Sequence, residues 1–223
     1  MDFEKAINEY SAAFERNTLF GDLTPEERSR ALVFFRASET SYEKGELLKT
    51  AGEAMARFGF ILTGTVQVCT DDIDGNRMIM AEVTSGGTFG ESLCYLAAEE
   101  SPIYVYASEN THMMWLRADA LRDQRTDEFS RRLTDAFIRL LAGRTLDMNG
   151  RIQILSKKSL RAKLTVFLTE YSQKARSDIF TVPFDRNEMA EYLGTERSAL
   201  SRELSRMRAE GIIDFYRNSF RIL

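Results

Sequence analysis

Residues 185–213 contain two short helical patterns joined by a turn centred on glycine. Asp185 can cap the first pattern because Glu188 follows three residues later, which is the spacing of a capping box. Gly194 ends this first helix, and Thr195 is predicted to cap the second one. Two such helices with a short glycine turn between them form a helix-turn-helix, which constrains the C-terminal fold more than any other feature of the sequence.

The second helix keeps its apolar residues on one side. A rotation of about 100° per residue brings Leu200, Leu204 and Met207 together. The opposite side carries hydroxyl and guanidinium groups, which can contact base edges and phosphates in a major groove. The residues predicted to contact DNA are Thr195, Arg197, Ser198, Ser201, Arg202, Arg206 and Arg208. A helical hairpin used only for packing is the alternative, but it has no need of four arginines on one helix.

A wing is predicted after the second helix. Gly211 supplies a left-handed stop, and residues 212–223 alternate loosely around a turn at 217–219. This pattern predicts two antiparallel strands at the C-terminal end of the sequence.

The net charge changes sign along the chain. Residues 151–223 contain 14 Lys and Arg against 9 Asp and Glu, whereas the preceding residues contain 16 against 25. Phosphate neutralisation by Lys and Arg provides the sequence-independent part of DNA affinity. The split predicts an acidic sensor body and a basic module that binds double-stranded DNA, and the small excess of positive charge favours two copies acting together.

The low cysteine content and the lack of long apolar runs indicate where in the cell the protein resides. Cys69 and Cys94 are the only cysteines, too few for a disulfide framework, and the acidic start does not look like a signal peptide. No stretch approaches the roughly 18 apolar residues of a membrane span. We therefore expect a cytoplasmic protein with no membrane partner.

The N-terminal half combines helices with short strands. Helical spacing over 3–16 is followed by Thr24 and Pro25, which open a helix to about Phe35. Short runs of Val, Ile, Phe and Tyr separated by glycines then predict a sandwich or barrel. The clearest of these signals are the period-two segments 58–62 and 103–107, and a hairpin turn at Asp74-Gly75 between 66–68 and 78–80.

A helical period returns over 126–155 and lasts about eight turns. Its apolar residues approximate a heptad, which suits pairing with the same helix of a second copy. The residues of this predicted dimer interface are Phe137, Leu141, Met148, Ile152 and Leu155. A helix packed within its own chain is the alternative, because Gly143 and Gly150 weaken the pattern. The polar residues 156–159 predict a hinge, and 160–173 predict a helix behind the helix-turn-helix.

These elements define an α+β protein with three parts. We predict a jelly-roll (double-stranded β-helix) sensor domain over 1–125, a dimerisation helix over 126–156 and a winged helix-turn-helix domain over 157–223. In this order the chain resembles the Crp/Fnr family of bacterial transcription regulators over nearly its whole length. The stretches that carry the resemblance are Gly52-Glu53 with 58–64, Phe89-Gly90-Glu91, and 193–202.

The resemblance implies a homodimer that binds a two-fold symmetric DNA site, contacts RNA polymerase if it is an activator, and responds to a small-molecule effector. In the family this effector lies between the β-roll and the long helix. The corresponding pocket residues are Gly90, Glu91, Ser92, Ser101, Arg144 and Thr145.

One departure from the family pattern concerns the effector. Cyclic-AMP-binding members carry an Arg-Ser pair where Ser101-Pro102 stands here, and no Lys or Arg occurs between Arg77 and Arg117. A buried phosphodiester without a cationic partner is penalised by several kcal/mol. We therefore expect an effector of unknown identity other than cyclic AMP, with Arg144 reaching in from the long helix as the open alternative.

Other cofactors can be judged from the residues that would have to bind them. Fnr-type oxygen sensors hold an iron-sulfur cluster on four cysteines, and this chain has two. Haem ligation by His112 or Cys94, or a redox switch between Cys69 and Cys94, stays open beside the simpler interpretation that these are packed residues. No metal site is predicted.

A second departure concerns DNA. Many family members have Glu where Ser198 stands, so the preferred half-site should not be assumed to be that of the best-known members. Arg202 keeps the family position and should contact a guanine. Two other functions remain as alternatives, namely a protein-interaction module that uses the winged domain without DNA and a β-roll enzyme. A single His and the lack of a Gly-x-Ser-x-Gly motif disfavour the enzyme.

Overall fold

The structure is a computed structural model that describes residues 3–71, 77–122, 127–182 and 184–223. It divides into two units, Met1–Arg144 and Thr145–Leu223. The hairpin turn predicted at Asp74-Gly75 and the predicted first residue of the long helix, Thr126, lie outside the described residues.

Three helices open the first unit: α1 (Phe3–Glu9), α2 (Ser11–Arg16) and α3 (Pro25–Phe34). The predicted start of α3 is confirmed, and the structure shows that it forms a capping box. The Glu27 amide donates to the Thr24 hydroxyl at 3.3 Å, and the Thr24 amide donates to the Glu27 carboxylate at 3.1 Å. These two bonds satisfy amides that have no partner inside the helix.

The strands of the β-roll are β1 (Ser38–Tyr42), β2 (Leu47–Lys49), β3 (Phe58–Thr63), β4 (Thr65–Asp71), β5 (Arg77–Thr84), β6 (Thr88–Phe89), β7 (Tyr104–Ala107) and β8 (Thr111–Leu116). They form two four-stranded antiparallel sheets, in the orders β1-β8-β3-β6 and β2-β7-β4-β5. Two short helices, α4 (Glu91–Tyr95) and α5 (Asp119–Arg122), complete the unit before the long helix.

The segments predicted as strands at 58–62 and 103–107 are confirmed as β3 and β7. Strand β3 is buried on both faces, because the Phe60 ring packs 5.1 Å from the rings of Phe14 and Phe20 in the N-terminal helical region. On the other face, a Cβ added at Gly59 would lie 2.2 Å from the Phe89 ring. Glycine at this position therefore permits the close approach of β6.

The predicted long helix is confirmed as α6 (Glu128–Leu155), which is 28 residues long. In the first half of α6, one side of the helix packs into the core of the first unit. The residues on this side are Phe129, Leu133, Phe137 and Leu140. The assignment of Phe137 to a dimer interface is wrong, because its side chain is only 2% exposed. Its ring lies 6.0 Å from that of Phe58 and 5.5 Å from that of Tyr95.

The accessible apolar residues of α6 begin at Ile138, one position after Phe137. Ile138 is 59% exposed, Met148 63% and Ile152 60%, whereas Leu141 is half-buried against the core of the first unit. Positions 138, 141, 145, 148, 152 and 155 alternate steps of three and four residues, which is a heptad. Leu155, the last of them, is 39% exposed.

The second unit contains the helices α7 (Leu160–Ala175), α8 (Arg186–Leu193) and α9 (Arg197–Ala209). Its sheet has the order β10-β11-β9, formed by β9 (Ile179–Thr181), β10 (Ile213–Tyr216) and β11 (Ser219–Ile222). The core also takes Ile154 from the last turn of α6. No helix among the described residues has the length and apolar character needed to cross a membrane.

The wing has three strands rather than the two predicted. Strand β9 has only three residues, and its partners in β11 lie about 40 positions later, at Ser219, Phe220 and Arg221. Neither periodicity nor a local turn can reveal such a pairing. The predicted break at 156–159 is confirmed between α6 and α7, where the Ser159 hydroxyl caps α7 by accepting from the Ala162 amide at 3.2 Å.

Candidate nucleic-acid interface and sensor site

The first helix of the helix-turn-helix, α8, starts as the sequence predicts. The Asp185 carboxylate accepts from the amides of Asn187 at 2.7 Å and Glu188 at 2.9 Å. The Glu188 carboxylate accepts from the Asp185 amide at 2.7 Å. This reciprocal capping box fixes where the chain enters α8.

The turn between α8 and α9 closes through two backbone bonds. Gly194 has a φ of 60° and donates to the Glu191 carbonyl at 3.1 Å, and Thr195 donates to the Ala190 carbonyl at 3.0 Å. This is the pattern of a Schellman motif. The prediction that Thr195 caps α9 is wrong, since its amide completes the end of α8 and Glu196 occupies the N-cap without a side-chain bond.

Helix α9 has one buried apolar face and one exposed polar face. Leu200, Leu204 and Met207 are at most 1% exposed and pack into the core of the second unit. The polar residues predicted to meet DNA point outward, with Thr195 half-buried before the helix. The exposed ones are Arg197, Ser198, Ser201, Arg202, Arg206 and Arg208.

The four arginines of α9 differ in what they contact. Arg197 and Arg202 form no ion pair with another described residue, and the Arg206 guanidinium lies 3.7 Å from the Glu203 carboxylate. Arg208 Nε lies 2.8 Å from Asp214 Oδ1, and its guanidinium is 5.4 Å from the centre of the Phe215 ring. Arg208 therefore binds α9 to the wing, and its contact with phosphate stays a prediction.

Arg186, the first residue of α8, holds the wing from the other side. Its Nη2 donates to the Arg217 carbonyl at 2.6 Å, and its guanidinium lies 5.1 Å and 5.2 Å from the rings of Phe215 and Phe220. Burial lowers the pKa of Arg186 from its ordinary value. The contact fixes the wing turn relative to the helix-turn-helix.

On the sensor side, the structure brings three of the predicted pocket residues together. Gly90, with a φ of 80°, starts α4, and Glu91 is 5% exposed. The Glu91 carboxylate accepts from the Thr88 hydroxyl and lies 3.5 Å from Arg144 Nη2. The same Arg144 nitrogen donates to the Thr88 carbonyl. Arg144 of the long helix therefore does reach the segment 88–91, where the Glu91 carboxylate partly neutralises its charge.

The other three predicted pocket residues lie outside this contact. Ser101 is buried, its carbonyl accepts from the Gly52 amide at 2.8 Å, and its hydroxyl accepts from the Ile103 amide at 3.4 Å. Ser92 is exposed on α4, and Thr145 is exposed as the first residue of the second unit. Elsewhere on α4, the Tyr95 ring lies 5.5 Å from the Phe137 ring of the long helix.

His112 and the cysteines are engaged in packing. His112 Nδ1 lies 2.8 Å from the Ser41 hydroxyl, and its Nε2 lies 3.7 Å from the Glu39 carboxylate. Cys69 and Cys94 are both buried, and no disulfide joins them. No group of three or more His, Cys, Asp or Glu among the described residues could hold a metal ion.

Burial raises the pKa of the Cys94 thiol, so the reactive thiolate is scarce near neutral pH. We expect iodoacetamide to modify Cys94 slowly in the folded protein and quickly after unfolding in urea. Peptide mass spectrometry can follow Cys94 separately from Cys69. Rapid modification of folded protein would contradict this and favour a redox role.

Two family descriptions match the chain. The cyclic nucleotide-binding domain matches residues 39–127, and the Crp-like helix-turn-helix domain matches residues 162–223. They correspond to the β-roll and to the winged unit, in the order described above.

The chain belongs to the Crp/Fnr family.

Several members of the Crp/Fnr family are similar to it in sequence or fold. The cyclic AMP receptor protein of Thermus thermophilus is 24% identical over 198 residues, which is 87% of each chain. FixK2 of Bradyrhizobium japonicum has a TM-score of 0.64 at 22% identity, over 83% of this chain and 92% of that one. The c-di-GMP responsive regulator CLP of Xanthomonas campestris has a TM-score of 0.68 at 15% identity, over 89% and 99%.

Membership of the Crp/Fnr family makes the chain a transcription regulator rather than an enzyme. Sequence reasoning missed several residues that build its sites, among them Arg186, Thr88 and Lys163, whose Nζ donates to the Leu193 carbonyl at 2.8 Å. Each of these contacts joins residues 30 or more positions apart. Neither local spacing nor charge pattern signals such contacts.

Proposed function

We propose that this regulator reads a specific, two-fold symmetric DNA site as a homodimer and responds to an effector other than cyclic AMP. The observation that carries the DNA part is the outer face of α9, where Arg197, Ser198, Ser201 and Arg202 are exposed over a fully buried apolar side. A helix with this distribution fits the major groove.

The DNA contact of each side chain on α9 is assigned from its hydrogen-bonding groups and its exposure. Arg202 can bind guanine O6 and N7 with two parallel hydrogen bonds, and Ser198 can donate to or accept from either base of a pair. Arg206 contacts phosphate, since its side chain is 71% exposed and its pairing with Glu203 is long at 3.7 Å. Ser198 in place of the family's Glu gives this regulator its own half-site.

The test is an affinity measurement on a duplex that the protein itself enriches from a random library. Arg202→Ala should weaken binding to that duplex by about 1–3 kcal/mol and leave binding to a scrambled duplex nearly unchanged. Arg206→Ala is the matched comparison, because loss of a phosphate contact should weaken both duplexes alike and lower the salt dependence. Equal affinity of Arg202→Ala and wild type for the enriched duplex would overturn the assignment of α9.

Dimerisation is proposed through the accessible apolar seam of α6. With Ile138 in place of Phe137, the seam consists of Ile138, Leu141, Met148, Ile152 and Leu155, with Thr145 at the remaining heptad position. Pairing two copies along such a seam buries side chains that are now exposed. The pair of α9 helices then matches a two-fold symmetric operator, and contact with RNA polymerase follows if the regulator is an activator.

The effector proposal rests on charge. Relatives are named for cyclic AMP and c-di-GMP, which carry phosphodiesters. Here residues 78–116 contain no Lys or Arg, and Arg144 of the long helix already binds Glu91 and the Thr88 carbonyl. A phosphodiester would have to displace the buried Glu91 carboxylate or sit beside it, and both arrangements are costly.

A thermal shift measurement tests this proposal. Cyclic AMP at about 1 mM should leave the melting temperature unchanged, since a ligand at 100 times its Kd stabilises by about 2.7 kcal/mol and is easily seen. Native mass spectrometry and an absorption spectrum of freshly purified protein, with and without oxygen, identify any effector that co-purifies. A clear stabilisation by cyclic AMP would overturn the proposal.

A further inference from the structure

One guanidinium on α7 joins two carboxylates on the DNA-facing helix. Arg161 Nε donates to Glu203 Oε1 at 2.6 Å, and Arg161 Nη2 donates to Glu210 Oε1 at 2.8 Å. Arg161 Nη1 donates to the second oxygen of Glu210. Seven positions separate the two glutamates, so one arginine spans about two turns of helix, or roughly 10 Å along its axis.

The start of α7 is well placed to act as a fixed point. The Ser159 hydroxyl caps the helix, and Arg161 is the second helical residue. Lys163, two residues later, donates to the Leu193 carbonyl at the end of α8. The first turn of α7 therefore holds both helices of the helix-turn-helix through charged side chains.

Apolar packing determines which side of α9 faces the core. Leu200 and Leu204 are buried in the same core as Leu164 and Phe167 of α7. Hydrophobic contact is non-directional, whereas a guanidinium that binds a carboxylate through two parallel hydrogen bonds has a fixed geometry. The contact to Glu203 in the middle of α9 and the contact to Glu210 at its end together define the rotation of the helix about its own axis.

The same contacts affect the charge that DNA meets. Residues 196–210 contain four arginines and three glutamates, and Glu203 directly follows Arg202. The hydrogen bonds from Arg161 lower the pKa of the Glu210 carboxyl. A carboxylate held by Arg161 repels phosphate less than a free one, because its charge is partly neutralised.

We propose that Arg161 is a positioning residue for DNA recognition, which sets the rotation of α9 through Glu203 and Glu210 and keeps both carboxylates away from the phosphates. This inference rests on the proposed DNA-binding function. The side chains of Arg161 and Glu210 are 39% and 46% exposed, and an ion pair at such positions contributes little to stability. Its loss should therefore alter discrimination between duplexes more than folding.

The experiment compares full-length variants on the enriched duplex and on a scrambled duplex by fluorescence anisotropy over a range of NaCl concentrations. Arg161→Gln should weaken binding to the enriched duplex about tenfold and reduce the ratio of the two affinities. The triple variant Arg161→Gln, Glu203→Gln, Glu210→Gln removes both carboxylates as well. It should recover affinity for the scrambled duplex but not the ratio, because three neutral side chains remove the negative charge that Arg161→Gln leaves uncompensated and do not restore the geometry.

Two further variants separate position from charge and folding. Arg161→Lys keeps the charge but loses the two-pronged geometry, so we expect an intermediate ratio. Lys174→Gln is the matched control, since Lys174 lies at the other end of α7, where its Nζ is 3.9 Å from the Asp147 carboxylate and 5.8 Å from the centre of the Tyr171 ring. It should discriminate the duplexes as wild type does, and all variants should melt within a few degrees of wild type.

Each outcome decides between the claims. A wild-type chain that enriches no duplex overturns the proposed function and this inference with it. A wild type that discriminates duplexes, beside an Arg161→Gln variant that discriminates equally well, overturns this inference alone. Full recovery of both affinities in the triple variant also overturns it, because Arg161 would then act only through its charge.

Discussion

Replacing Phe137 with alanine should lower the free energy of unfolding of the first unit by about 3–5 kcal/mol. The Phe137 side chain is 2% exposed and packs between the rings of Phe58 and Tyr95, so its removal leaves a cavity that rigid neighbours cannot fill. Urea unfolding followed by the fluorescence of Trp115 reports on this unit. Trp115 is the only tryptophan of the chain and lies in the same core.

Val33→Ala provides the control for this measurement. Val33 lies on α3 in the same unit and is 65% exposed, so its truncation should change stability by no more than about 0.5 kcal/mol. If Phe137→Ala unfolds at the same urea concentration as Val33→Ala, Phe137 is not a core residue. The seam of α6 would then have to be assigned again.

The double variant Met148→Asp, Ile152→Asp should convert the dimer to a monomer and remove specific DNA binding. Met148 and Ile152 are 63% and 60% exposed, so aspartate is tolerated in the isolated chain. In a dimer the four new carboxylates would face one another in an apolar interface, at a cost of several kcal/mol for each buried charge. Sedimentation velocity measures the association, and anisotropy on the enriched duplex measures the loss of binding.

Leu146→Asp is the matched control on the same helix. Leu146 is 71% exposed and lies one residue past the seam position at Thr145, so it should remain at the rim of a coiled pair. This variant should stay dimeric and bind the enriched duplex as wild type does. A dimeric Met148→Asp, Ile152→Asp protein would contradict the proposed seam, and a monomeric Leu146→Asp protein would show that the interface is wider.

The features that the sequence predicts well are formed by contacts between residues that lie close together along the chain. The capping boxes at Thr24 and Asp185 and the left-handed turn at Gly194 were predictable because each uses hydrogen bonds within a few residues. The predicted fold class and the long helix are confirmed for the same reason, since periodicity is a local property. The order of the parts followed from these elements, and the family resemblance rested on that order.

The errors and omissions concern contacts between distant residues. Phe137 and Ile138 are adjacent in sequence, and only the packing of α6 on the β-roll decides which of them is buried. Thr195 is a good capping residue that the fold uses to close the preceding helix instead. Arg161 meets its glutamate partners 42 and 49 positions away, so neither spacing nor composition indicates that contact.

The long helix contributes side chains to two separate hydrophobic cores. Phe129 and Leu133 complete the core of the β-roll, and Ile154 is fully enclosed in the core of the winged unit. Arg151 stacks 4.9 Å above the Tyr192 ring of α8. A fragment cut at the polar break near 157 would lose Ile154 and expose the apolar surface that it covers, so an isolated DNA-binding fragment intended for crystallisation or spectroscopy should begin near Thr145.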